Sequence, residues 1–361
     1  MNTTFENVKK NFGFGMMRLP MIDGEVDSAQ VCKMVDLFLS KGFNYFDTAH
    51  GYLEGKSELA VRECLSKRYP RESFILTNKL SFNFFQTEAD IRPLFQQQLN
   101  DCGVEYFDYY LMHALNRNRH LHYKQCRAYE TAMELKAEGK VKYIGMSFHD
   151  DAQTLDQILT EYPQIEVVQL QFNYVDYEDE KVQSRKCYEV CRKHGKPVLV
   201  MEPVKGGSLV NLPEAAQKVF DELKGGSNAS YAIRYAAGFE NIKMVLSGMS
   251  TLEQMEDNLS FMQDFTSLSQ KELDAVEKVR LIFRNQGLVS CTGCRYCTEI
   301  CPQGIAIPEL FAALNAKRSG QTAASVDTNM DCLKCGKCEE SCPQELNIRE
   351  LLEVAATELK A

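Results

Sequence analysis

The sequence predicts an α/β fold, a closed (β/α)8 barrel followed by a small, mainly α-helical unit. Three observations carry that expectation. A chain of 361 residues has room for one large domain of about 250 residues and a modest appendage. Between residues 12 and 262, short β-branched and aromatic runs alternate with longer amphipathic segments. Past residue 290 the alternation stops and cysteines crowd together, in CTGCRYCTEICP (291–302) and CLKCGKCEESCP (332–343).

The expected strands are, in order, FGFGMM (12–17), FNYFDTA (43–49), SFILTNK (73–79), FDYYLMH (107–113), VKYIGMS (141–147), IEVVQLQF (165–172), KPVLVME (196–202) and IKMVLSG (242–248). Between them, DSAQVCKMVDLFLSKG (27–42) sets Val31, Val35, Phe38 and Leu39 on one helical stripe and stops at Gly42. AYETAMELKAEGK (128–140) also ends at a glycine. Eight strand–helix units in this span match the count of a TIM barrel. A doubly wound open sheet gives a similar alternation, but eight evenly spaced units favour closure. TLEQMEDNLSFMQ (251–263) and SQKELDAVEKVRLIFRNQ (269–286) read as two further helices, the second a bridge to the cysteine region. There, IPELFAALNAKRSG (307–320) places Pro308 where helices start and Gly320 where they stop. NIRELLEVAATELK (347–360) repeats that character, and QTAASVDTNMD (321–331) reads as a loop. Each cysteine motif precedes a proline and then a helix, which gives two similar halves.

Composition narrows the function. A net charge of −9 argues against nucleic acid as the main partner, because phosphate binding needs a basic face. No segment approaches the roughly 18 unbroken apolar residues of a membrane span. MNTTFENVKK at the N-terminus has no apolar core of a signal peptide, so a cytoplasmic location is expected. Of fourteen cysteines, eight fall in the two motifs. Cys32, Cys64, Cys102, Cys126, Cys187 and Cys191 are scattered and read as reduced thiols.

The repeated C-x2-C-x2-C-x3-C-P pattern is the ligand pattern of two cubane iron–sulfur clusters. Zinc also takes C-x2-C pairs, but it would leave the third and fourth cysteines and the twin C-P endings unexplained. The two halves resemble a two-[4Fe-4S] ferredoxin module of the α-helical kind. In such modules the fourth cysteine of each motif crosses to the other cluster. The resemblance therefore implies one set of Cys291, Cys294, Cys297 and Cys342, and another of Cys332, Cys335, Cys338 and Cys301.

Within the barrel region, Asp47 (FDTAHGY), Lys79 (ILTNK) and His113 (YYLMH) sit at strand ends, and Tyr52 follows five residues after Asp47. C-terminal strand ends converge on one mouth of a TIM barrel. A lysine beside Tyr52 is expected to lower its phenol pKa and ease proton donation. Asp47 would hold Lys79 charged, and His113 would orient a carbonyl. The bland alternative is a barrel-mouth ion pair beside a loop aromatic.

These four positions resemble, in order and context, the catalytic tetrad of the aldo-keto reductases, and the likeness covers about residues 12–262. It implies Tyr52 as general acid or base, supported by Asp47, Lys79 and His113. It also implies a nicotinamide nucleotide held by Ser147 and Gln169, with Met201 in place of the usual stacking aromatic. Phe148 stands where the family commonly has asparagine. Lys205 would meet the pyrophosphate, and Gly248, Met249, Ser250, Gln254 and Asn258 the adenosine side. Residues 244–262 contain no Lys or Arg, so a 2′-phosphate lacks its usual cations and NAD(H) is expected over NADP(H). The corresponding division is a barrel over 1–265, a linking helix over 266–286 and a ferredoxin-like domain over 287–361.

Other features read more plainly. His120 and His122 in RNRHLHY are expected as solvated loop histidines, EDEK (178–181) as a charged helix start, and the phenylalanines of SFNFF (81–85) as a substrate wall or as packing. His50 is expected near the mouth. The leading functional expectation is reduction of a small carbonyl, or oxidation of an alcohol, coupled through the clusters to one-electron transfer. Since a hydride carries two electrons and a cubane takes one, either FMN occupies the mouth or a ferredoxin or flavoprotein partner feeds the clusters. The alternatives are a plain NAD(P)H-dependent reductase with structural or oxygen-sensing clusters, and an electron-carrier subunit using the barrel as a platform.

Overall fold

The computed structural model of the chain describes residues 3–223, 225–328 and 331–360. A closed barrel is formed by β1 (Phe12–Gly15), β2 (Tyr45–Asp47), β3 (Ile75–Leu80), β4 (Phe107–Leu115), β5 (Val141–Phe148), β6 (Val167–Gln171), β7 (Val198–Met201) and β8 (Ile242–Gly248). All pairings are parallel, each strand lies beside its sequence neighbours, and β8 closes on β1 from Phe12↔Val245 to Gly15↔Gly248. The strands are apolar on both faces because both are covered. Tyr45, Tyr109, Leu111, Val167, Leu199 and Met244 fill the barrel interior. The outward residues Phe12, Phe14, Phe46, Leu76 and Tyr110 pack in the core shared with the surrounding helices. In the helix Ser28–Ser40 the stripe Val31, Val35 and Phe38 is buried, and Asp27 caps the start by accepting from the Gln30 amide.

Several local expectations change. The run after β1 curls into a 3-10 turn at Met16–Arg18 instead of continuing as a strand. RNRHLHY is not a loop: it forms the helix Arg117–Gln125, capped by Asn116, whose side chain accepts from the Arg119 amide. His120 is buried there, bonded to the Tyr129 hydroxyl (2.9 Å) and Glu161 (3.2 Å), so it is not solvated. EDEK does not start a helix. The Asp179 side chain accepts from the amides of Lys181 and Val182 and folds a turn, and the helix begins at Ser184. Residues 321–328 and Asp331 are irregular, as the loop reading has it; Asn329 and Met330 of that segment lie outside the described residues.

The helix Gln270–Asn285 opens with a capping box between Ser269 and Glu272 and packs Ala275, Val276, Val279 and Phe283 against Leu209, Leu212 and Phe220. The C-terminal unit follows. Its helices Ile307–Arg318 and Ile348–Lys360 enclose a small core of Leu310, Phe311, Leu314, Leu352 and Ala355. Among the described residues no helix is long and apolar enough to cross a membrane.

Candidate active site

The C-terminal ends of β2, β3 and β4 bring four side chains together. The Lys79 ammonium donates to Asp47 Oδ1 (2.6 Å), to the Thr48 carbonyl (2.9 Å) and to the Tyr52 hydroxyl oxygen (3.1 Å). Those bonds use all three donors of a lysine. The Tyr52 oxygen is thus an acceptor for Lys79, and its own hydrogen is free to point elsewhere. His113 stands edge-on to the Tyr52 ring, with centroids 5.8 Å apart. Its Nδ1 is held by Ser81 Oγ at 2.6 Å, which leaves Nε2 as the nitrogen without an assigned partner. Directly after it, Ala114 takes a positive φ of 54° and donates its amide to Ser147 Oγ at 2.7 Å. This left-handed kink interrupts the β4–β5 register between Met112 and Leu115, beside the site.

Burial dominates the electrostatics. It raises Asp47 and lowers Lys79 from their ordinary values, while each partner opposes the shift of the other. His113 is held well below the usual imidazole value by burial and then by the Lys79 charge, so it is neutral. The expected lowering of the Tyr52 pKa is not the net outcome: burial, followed by Asp47 and Glu202, pushes the phenol well above its ordinary value.

Two cavities meet at these residues. One, of about 360 Å³, is lined by Asp47, Tyr52 and His113 together with Ser147, Gln169, Met201, Gly248, Met249, Ser250, Gln254 and Asn258. Lys205 is not brought there. Its ammonium is buried in an ion pair with Asp176 at 2.5 Å, so it is spent inside the protein rather than offered to a pyrophosphate. The other cavity, about 750 Å³, shares Tyr52, His113, Ala114 and Tyr296 with the first and adds His50, Phe82, Phe84 and Arg119. Of the SFNFF phenylalanines, Phe82 and Phe84 line this cavity and Phe85 belongs to the core.

Sequence reasoning missed several lining residues. Arg18 follows β1 and lies against Gly248; its guanidinium donates to the Thr292 carbonyl at 2.7 Å. Asp257 lines the smaller cavity and accepts from Ser227 Oγ at 2.6 Å. Arg119 was hidden in a helix read as a loop. The largest omission is the C-terminal unit itself: Thr292, Cys294, Tyr296, Pro343 and Gln344 form part of the wall. Gln344 and Gln171 exchange reciprocal amide bonds of 2.7 and 2.9 Å. At Gly206, with φ +63°, a Cβ would stand 2.3 Å from the Thr292 carbonyl oxygen, so only glycine lets the loop after β7 meet the unit this closely.

The eight motif cysteines gather into two sets. One small void is lined by Cys291, Cys294, Cys297 and Cys342, and another by Cys301, Cys332, Cys335 and Cys338. Each set takes three thiols from one motif and the fourth from the other. Gly293 and Lys334, both with positive φ, aim their amides at the sulfurs of Cys291 and Cys332, each at 3.4 Å. Four thiolates around each void, with amides turned toward sulfur, suit a cubane cluster.

A parallel barrel with a polar mouth, walled on one side by a unit carrying paired cysteine sets, defines an oxidoreductase scaffold joined to an iron–sulfur module. The chain belongs to the aldo/keto reductase family, whose model matches residues 11–281, and a 4Fe-4S dicluster domain matches residues 290–346. Among curated relatives, the NADH-specific methylglyoxal reductase of Escherichia coli strain K12 is 27% identical over 218 residues, 53% of this chain and 61% of that protein. The chain spans 61%, 40% and 35% of the lengths of the first three curated relatives it matches. Among solved structures, the holo form of an aldo-keto reductase from Bacillus halodurans superposes with a TM-score of 0.61 at 24% identity, over 74% of this chain and 91% of that one. An aldo-keto reductase from Klebsiella pneumoniae in complex with NADPH gives 0.60 at 18% identity, over 75% and 90%. At these identities the structural likenesses establish the fold.

Proposed function

We propose that the protein reduces a small carbonyl compound at Tyr52 with a nicotinamide nucleotide, and that the same cavity exchanges electrons with the iron–sulfur unit. The observation that carries this reading is the shared wall: Cys294 and Tyr296 line the cavity that also holds Tyr52 and His113. The working division keeps a barrel to about residue 265, a linking helix to 286 and the iron–sulfur domain beyond.

Bound along Ser147, Gln169 and the Gly248–Asn258 segment, the nucleotide would supply the hydride. Tyr52, whose oxygen already accepts from Lys79, directs its hydrogen to the carbonyl oxygen. The high phenol pKa keeps it protonated until an alkoxide develops. Lys79 then stabilises the phenolate left behind, and Asp47 holds that ammonium in place. Neutral His113, steadied by Ser81, offers Nε2 as a second donor to the same oxygen. Such general-acid chemistry is worth roughly 10²–10⁴ in rate. NAD(H) is favoured over NADP(H): the segment 244–262 brings no cation, Asp257 adds a negative charge, and Arg18 is engaged with Thr292. The two cysteine sets, once loaded, would take electrons singly from a ferredoxin or flavoprotein partner, and two such electrons with one proton would return each oxidised nucleotide in the cavity to its hydride-bearing form.

The test is an anaerobic titration of cluster-loaded protein with NADH, NADPH, and either nucleotide plus FMN, following bleaching of the visible cluster absorbance. Bleaching by NADH supports the reading; bleaching that requires FMN moves the electron split to a flavin. No bleaching in protein whose clusters dithionite reduces would sink the coupled version and leave a reductase with structural clusters. In Tyr52→Phe, carbonyl turnover should fall by roughly 10²–10⁴ while nucleotide-driven bleaching persists.

A further inference from the structure

The larger cavity contains a cation that the proposed chemistry does not use. Arg119, on the first turn of the helix Arg117–Gln125, lines the same cavity as Tyr52 and His113 and is 9% exposed. Its guanidinium lies 4.2 Å from the centroid of the Phe82 ring, and Nη1 donates to the carbonyl of Ala114, the residue next to His113, at 2.9 Å. No carboxylate among the described residues reaches ion-pair distance of it, although 28 such pairs are formed elsewhere. A guanidinium has five N–H donors, and the bond to the Ala114 carbonyl uses one of them in a side chain that lines the cavity. Burying a cation with no carboxylate against it is costly, and an anionic ligand would relieve that cost.

We propose that Arg119 binds a carboxylate on the substrate, so that the carbonyl presented to Tyr52 belongs to an oxo-acid. This rests on the reading of Tyr52 as the proton donor. The planar fork matches a carboxylate in two parallel hydrogen bonds, and the Phe82 ring holds the fork's plane. A monoanion is favoured over a phosphate ester. Glu54 and Glu299 stand exposed at the rim and Asp101 lies in the wall, so a dianion would meet three acids and a single cation. The anchoring bond to Ala114 sets the anion-binding group beside the residue that follows His113, so carboxylate and carbonyl are held on adjacent parts of one wall.

The probe pair is 4-oxobutanoate and butanal, which differ by the carboxylate. Full-length, cluster-loaded wild type and R119Q are compared by the ratio of kcat/KM for the two aldehydes. The ratio should favour 4-oxobutanoate in wild type and fall roughly 10- to 100-fold in R119Q, mainly through KM. R119K, which keeps charge without the fork, should fall between them. Calorimetry with 4-hydroxybutanoate in the absence of nucleotide gives a second readout, with Kd rising by a similar factor in R119Q. A ratio unmoved in folded R119Q overturns the proposal. So does an equal loss for both aldehydes with an altered cluster reduction potential, which would make Arg119 a counter-charge to the nearby thiolates. Arg119-dependent binding of 4-hydroxybutanoate in a protein that reduces neither aldehyde would support the anion site while removing the proposed reaction.

Discussion

The two halves of the iron–sulfur unit are alike in chain geometry and unlike in surroundings. Each has left-handed residues two and four places after its first cysteine, Gly293 and Arg295 in one, Lys334 and Gly336 in the other. Each then makes a single helical turn, Tyr296–Glu299 or Lys337–Glu340, that buries the third cysteine. Equivalent positions nevertheless meet different environments. Thr292 is 3% exposed under the barrel loop, whereas its counterpart Leu333 is 60% exposed. Cys294 lines the barrel cavity, whereas its counterpart Cys335 is open to solvent. Local sequence sets how four thiols converge; the neighbour decides whether the set faces the barrel cavity or the outside. Under the proposed function, the outward set would be the entry for a partner protein and the inward set the contact with the cavity.

The largest effect that separates the halves comes from removing one ligand from each. Cys294→Ala and Cys335→Ala should each cost about half of the bound iron, since each cubane needs its four thiolates. They should differ in electron flow. In Cys335→Ala the remaining inward cluster should still be bleached by the effective nucleotide, while in Cys294→Ala the remaining outward cluster should lose that route. Dithionite reduction of both variants checks that the surviving cluster is intact. Equal nucleotide-driven bleaching in the two would erase the functional distinction drawn from their positions.

Much of this contrast was illegible in the sequence, for identifiable reasons. The eight strands and the strand-end positions of Asp47, Lys79 and His113 follow from patterns that recur every few residues, and so does the cysteine spacing. What periodicity does not carry is contact between distant segments. Arg18 and Thr292 are 274 residues apart, and nothing in either stretch announces the other. Arg119 went unnoticed because RNRHLHY has almost no apolar stripe, yet Asn116 caps it into a helix. Lys205 shows the opposite error. A lysine near a barrel mouth suggests an anion, but its buried partner Asp176 lies 29 residues earlier and claims it.

A smaller effect tests the contact that makes the inward half inward. Gly206→Ala puts a Cβ where the Thr292 carbonyl oxygen stands, in a backbone conformation that costs an L-residue about 1–2 kcal/mol. Gly207→Ala is the control. Gly207 is also left-handed, at φ +98°, but has open space around its Cβ, so it carries the backbone cost without the clash. Denaturant unfolding should show Gly206→Ala less stable than Gly207→Ala, with cluster absorbance lost at lower denaturant than the barrel's far-UV signal. Identical curves would mean that the loop yields and the close approach holds nothing.

The smallest effect concerns proton binding at His113, which the inward half helps to cover: the Tyr296 ring lies 6.5 Å from it, edge-on. In the folded protein the imidazole pKa is held well below 6.5, chiefly by burial, whereas in the unfolded chain it titrates near ~6.5. Below that pH the unfolded state binds the extra proton and the folded state does not, so stability present above about pH 6.5 drains away as pH falls. The loss is about 1.4 kcal/mol per pH unit until the folded imidazole is itself protonated. His113→Gln lacks this term, and other acid-sensitive groups are common to both proteins. The stability difference between wild type and His113→Gln should therefore shift by about 1.4 kcal/mol against wild type between pH 7.5 and 5.5. Repeating the pair in the Gly206→Ala background sharpens the comparison. If Tyr296 supplies part of the burial, loosening the inward half lets His113 take up its proton sooner and the shift shrinks; an undiminished shift would assign the burial to the barrel alone.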